Sequence, residues 1–189
     1  MLMGLDLGSR STGWCCGAGA GNPEVGAWSI DAHGDDGAPD YGKMLAQLED
    51  YLHTAHLRFG FTTVAYEAPI LVTSRFVKDG ETRYGDNLNK LRLLYPLGAF
   101  VEWFCHRRGI DCFEVTIQAI KKEVTGNHLA VKDDMVAIAQ KVGLDLPRNK
   151  TAEDAADAFG AWLLLLRAFD KTASAEWDRR IWTPKGALL

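Results

Sequence analysis

Hydrophobic and polar positions change period several times along the chain. "MLMGLDLGS" is a short apolar run closed by a Gly-Ser turn, the pattern of a buried strand. "TGWCCGAG" reads as its hairpin partner and "EVGAWSID" as a third strand, while "AHGDDGAPDYG" has loop composition. From Tyr41 to Phe59 the period is helical, with Met44, Leu45, Leu48, Tyr51, Leu52 and Ala55 at spacings of three and four. "TTVAYEAP" returns to a strand, stopped by Pro69. The polar, basic, glycine-containing "VTSRFVKDGETRYGDN" predicts a flexible loop.

Leu88 to Arg108 predicts a second long helix, with Tyr95-Pro96 as a kink or its true start. Its apolar residues (Leu91, Leu94, Leu97, Phe100, Val101, Trp103, Phe104) occupy more than one side, so a second contact beyond its own core is expected, such as another subunit. Arg107 and Arg108 at its end are expected on the terminal carbonyls. "GIDCFEVT" is a further strand. Short helices follow from Thr116 and over Asp133 to Val142, and a last helix runs from Thr151 to about Phe169. Strands first, then strands alternating with helices, give an α/β layered domain over residues 1–169. A tail, 170–189, mixes charge with Trp177 and Trp182.

Composition narrows the classes. At 189 residues, 47% hydrophobic and 24% charged, the chain suits one globular domain. A net charge of -4 argues against nonspecific coating of nucleic acid but leaves room for a local basic groove. Cys15, Cys16, Cys105 and Cys112 form no CxxC pair, so they read as small hydrophobes in a reducing compartment. An aspartate at position 6 interrupts any leader, and the longest apolar run, Ala161 to Leu166, is too short for a bilayer; a cytoplasmic protein without a membrane partner is expected.

Candidate chemistry rests on carboxylates in costly places. Asp6 lies inside "GLDLG" and Glu67 inside "VAYEAP", where a strand expects apolar residues. Asp154 and Asp157 are three residues apart on one helix face. A bland account exists for the helix: Thr151 as N-cap and Asp154 in a capping box, with acids favouring the dipole. It serves Asp157 poorly, because that acid leads into Phe159 and Trp162. If the acidic strands are neighbours and the last helix crosses them, four like charges converge and need compensation. Hard divalent cations supply it, and paired Mg²⁺ ions are the common apparatus of phosphodiester hydrolysis.

"GLDLGSRSTGW", "VAYEAP", "IKKEVTGNHLAVKDDMV" and "EDAADAFGAW", in this order, resemble the RuvC family of Holliday-junction resolvases over roughly Met1 to Leu166. The resemblance implies an RNase H-like fold, with a five-stranded mixed sheet flanked by helices. It implies a homodimer, through the helix around Leu88–Arg108, that binds four-way or branched DNA. Each subunit would nick one of two opposed strands with Mg²⁺ or Mn²⁺, two ions per site, leaving 5′-phosphate and 3′-hydroxyl ends. Asp6, Glu67, Asp154 and Asp157 take the places of the metal-binding carboxylates, and Lys121 and Lys132 those of two lysines beside the scissile phosphate. Lys122 extends that basic patch. The host would be a prokaryotic or phage-infected cell. The chain departs from the family pattern at Leu7, where proline is usual, and at Ile70, where some members carry a base-stacking aromatic. Phe76 or Tyr84 is the expected substitute wedge, and Arg75, Lys78 and Arg83 suit phosphates. A substrate of other branched DNA or structured RNA is the alternative. An actin-like ATP module using "DLGSRSTG" lacks a second phosphate loop.

Overall fold

The computed structural model describes residues 1–31, 33–34, 38, 40–69, 75–78, 81–84, 87–149 and 151–183, with backbone alone through 75–91. Chain order is β1 (Leu2–Asp6), β2 (Ser11–Gly17), β3 (Glu24–Ser29), α1 (Tyr41–Phe59), β4 (Thr63–Glu67), β5 (Arg75–Lys78), β6 (Glu81–Tyr84), α2 (Asn87–Arg108), β7 (Asp111–Val115), α3 (Ile117–Thr125), α4 (Lys132–Lys141), α5 (Thr151–Phe169) and α6 (Lys171–Trp182). Five strands form one mixed sheet in the order β3-β2-β1-β4-β7. The β1–β2 and β2–β3 pairs are antiparallel; β1–β4 and β4–β7 are parallel.

Each face of the sheet has its own core. On one, Met3, Leu5, Val64 and Tyr66 meet Met44, Leu48 and Leu52 of α1 and Leu97, Val101 and Phe104 of α2. On the other, α5 lies against the strands and is covered by α3, α4 and α6. Alternation along β1 thus divides its side chains between two apolar layers. The expected α/β architecture, a five-stranded mixed sheet flanked by helices, is the one present.

Three segments differ from the sequence reading. The stretch expected as a loop after Pro69 carries a two-stranded antiparallel sheet, with Arg75 opposite Tyr84 and Phe76 opposite Arg83. α2 begins at Asn87, with Pro96 inside it, so Pro96 is not its start. The tail contributes α6, capped by Asp170 through the Ala173 amide and burying Ala173, Trp177 and Ile181 on one side. Trp177 is fully buried against Phe159 and Trp162, with ring centroids 5.5 and 5.4 Å away. Arg108 does not serve the α2 carbonyls; its guanidinium lies 3.7 Å from the centre of the Phe104 ring.

Candidate active site

Small residues decide where α5 sits. A Cβ on Gly4 would stand 2.2 Å from the Ala158 carbonyl oxygen, and one on Gly13 would stand 2.0 Å from that of Asp154. Only glycine lets the helix backbone rest directly on β1 and β2. Gly13 is also the cross-strand partner of Asp6. The seat at Gly13 therefore sets the first turns of α5 beside the carboxyl end of β1. Glu67 ends the parallel neighbour β4 at the same edge.

A cavity of about 240 Å³ results, lined by Asp6, Leu7, Gly8, Glu67, Leu94, Ile117, Lys121, Lys132, Asp154 and Asp157. Four acids from three distant parts of the chain share it with two lysines. Asp6 is pushed well above the ordinary carboxylate range, first by burial and then by Glu67, Asp157 and Asp154, with Lys132 opposing. Burial also lifts Asp157 to about 6, against the pull of Lys132 and Lys121. Burial lowers Lys132, but Glu153, Asp157 and Asp6 outweigh it and the ammonium is held more firmly than usual. The two acids are raised by burial and by like charges crowded around them, and Lys132 by the opposite charges it faces.

Lys121 projects from α3 and Lys132 opens α4; both reach the cavity. Between them the chain turns at Gly126, whose φ of 75° suits glycine. Lys122 is exposed and lies outside the lining. Arg75, Phe76, Lys78, Arg83 and Tyr84 stand on β5 and β6, whose side chains lie outside the description, as does Ile70. His106 and His128 are exposed.

Two contacts escaped the sequence reading. The Ser11 hydroxyl donates to Asp154 Oδ2. Lys132 Nζ pairs with Glu153 Oε2 at 3.0 Å. A serine at a strand start and a glutamate in a first helical turn are too common to stand out. The capping-box account of Asp154 is overturned: Thr151 is itself the first helical residue, and Asp154 reaches across to β2.

The donor set suits a hard cation, being all carboxylate oxygen with one buried oxygen, Asp157 Oδ1, lacking a hydrogen-bond partner. Among the described residues no three of His, Cys, Asp and Glu are gathered closely enough to grip one ion. Repulsion among the acids favours such spacing until a positive charge draws them in.

No family model matches the chain, and no curated protein matches it. Solved structures do. Thermus thermophilus RuvC is 17% identical with a TM-score of 0.57, covering 88% of this chain and 95% of that one. T. thermophilus RuvC in complex with a Holliday junction substrate is 13% identical at TM-score 0.60, covering 89% and 95%. The yeast mitochondrial Holliday junction resolvase is 12% identical at TM-score 0.53, covering 95% and 79%. The chain has a RuvC-type resolvase fold.

Proposed function

We propose that the chain is a divalent-metal-dependent, structure-specific endonuclease that nicks opposed strands of four-way DNA junctions and leaves 5′-phosphate and 3′-hydroxyl ends. One observation carries the reading: on a RuvC-type fold, Asp6, Glu67, Asp154 and Asp157 line one cavity together with Lys121 and Lys132. Comparison with RuvC bound to a junction supports the substrate class.

The four carboxylates would hold Mg²⁺ or Mn²⁺, which when bound supplies concentrated positive charge to acidify water and offset phosphate charge. Lys121 and Lys132 draw the scissile phosphate to the cavity mouth and stabilise charge growing on its oxygens. Glu153 holds Lys132 at that post. Asp6, held above the ordinary carboxylate range by burial and its acidic neighbours, contributes a carboxylate whose charged form a bound cation would stabilise. Lys122 and the β5–β6 hairpin, with Arg75, Lys78 and Arg83, extend phosphate contact, and Phe76 or Tyr84 serves as the wedge at the crossover.

Two opposed nicks call for two sites, and hence for a homodimer. Tyr95 and Trp103 of α2 are 45% and 48% exposed with Ala99 between them, an apolar stripe suited to a second copy. The decisive experiment is a nicking assay on a synthetic four-way junction, a flap, a plain duplex and an RNA–DNA hybrid, with Mg²⁺ or with EDTA. Paired, ligatable nicks on the junction in Mg²⁺ alone support the reading. Equal cutting of the duplex would remove it, and preference for a flap or hybrid would move the substrate to other branched DNA or structured RNA.

A further inference from the structure

Ser11 and Gly13 sit two residues apart on β2 and so face the same side of the sheet, the side on which α5 lies. Gly13 admits the α5 backbone, since a side chain there would strike the Asp154 carbonyl. That close approach brings the Asp154 side chain within reach of the Ser11 hydroxyl, which donates to Oδ2. Asp157, one turn on, has no such donor and leaves Oδ1 buried without a partner. The two acids of the helix are thus treated differently: one is tied to the sheet and the other is left to meet a ligand.

We propose that Ser11 is a positioning residue, which by engaging Asp154 Oδ2 fixes the rotation of that carboxylate and leaves Oδ1 as the oxygen offered to a divalent cation in the cavity. The inference rests on the function proposed above. A carboxylate on a helix surface samples several rotamers, and a bound cation must freeze one of them. A hydroxyl 143 residues away in sequence that already holds one oxygen does part of that freezing in advance. A hydroxyl donor also satisfies one oxygen without adding positive charge, so attraction for the cation is kept. Lysine at this place would tie the carboxylate down and repel the ion.

The test is Mn²⁺ binding, measured by electron paramagnetic resonance of free ion and by calorimetry, in wild type, Ser11→Ala, Ser11→Thr, Asp154→Asn and the double variant Ser11→Ala/Asp154→Asn. Thermal melting in EDTA reports the fold of each. Loss of the donor weakens Mn²⁺ roughly tenfold or more, in the range seen for groups that orient metal ligands. Ser11→Thr keeps most of the affinity. In the Asp154→Asn background, removing the hydroxyl adds no further loss, because its effect runs through that carboxylate. Unchanged Mn²⁺ affinity in Ser11→Ala overturns the proposal, and so does an equal further loss on top of Asp154→Asn. A wild-type protein that binds no Mn²⁺ at all overturns the functional reading itself, an outcome plainly different from either.

Discussion

Replacing Asp157 by asparagine separates what the site costs from what it does. Asp157 is 4% exposed, and burial lifts its carboxyl from 3.8 to about 6. Across that window the folded chain binds more protons at this position than the unfolded chain, so its contribution to stability is full below about pH 4 and shrinks as pH rises to about 6. Above that it stays level, at a cost of up to about 3 kcal/mol for a gap of roughly two units. Asparagine carries no charge to bury. Part of the gain is cancelled, because Lys121 and Lys132 lose an anion and the amide needs partners where Oδ1 has none. A net gain of about 2 kcal/mol at pH 8 corresponds to a melting temperature higher by roughly 4–8 °C in a chain of this size. At pH 4 the two proteins should melt together. Thermal melts at both pH values in EDTA check this, and a Mg²⁺ series shows the reverse: the ion stabilises the parent and has little effect on Asp157→Asn, which also fails to nick. Lower stability of the variant at pH 8, or an equal difference at both pH values, would falsify the account of a buried charge held in reserve.

Other expectations follow from the same geometry. The Mg²⁺ concentration needed for half-maximal nicking should fall as pH rises through about 6, because Asp157 must lose its proton to accept the ion; it is read from Mg²⁺ titrations on a four-way junction between pH 5 and 8. Lys132→Ala should lower the rate by a hundredfold or so, the order expected when a charge-stabilising donor is removed; a rate within twofold of wild type would remove it from the site. Junction affinity should fall steeply between 50 and 200 mM salt, roughly as the number of phosphates neutralised, and a flat titration would deny the basic rim. Trp177→Ala should cost about 3–5 kcal/mol in urea unfolding, since the ring is fully enclosed beside Phe159 and Trp162; a loss under 1 kcal/mol would make α6 an accessory.

Charge in apolar surroundings was the most legible signal in the chain. Asp6 and Glu67 stand in runs that read as apolar strands, although the structure puts each at its strand's last position, and Asp157 precedes the most apolar stretch of its helix, so each advertises a cost that needs a purpose. What joins them was far less visible. The seats at Gly4 and Gly13 read as ordinary strand glycines, because nothing in a linear pattern says which backbone will press on them. Asp-Gly at 79–80 is a sequence signal common in hairpins, but Arg75–Lys78 and Glu81–Tyr84 lack the apolar alternation that marks strands. In α6 the period of four from Ala173 through Trp177 to Ile181 is present and is diluted by Asp178, Arg179 and Arg180.

That contrast explains why α5 carries its acids where it does. A helix entering a core through a face of alanines and glycine-seated contacts can lie closer to a sheet than one padded by larger side chains. Closeness is what the carboxylates need, since an aspartate reaches only a short way from its backbone. Ala155 and Ala158 are fully buried and alternate with Asp154 and Asp157 along the same two turns. Either alanine is fully buried and leaves no room for leucine, so that substitution should displace the first turns of α5 with both acids, read as lost nicking of a four-way junction. Packing and chemistry are therefore set by the same few residues. With all the acids retained and ionised, the stability given up to crowded charge is recovered when something positive occupies the space between them.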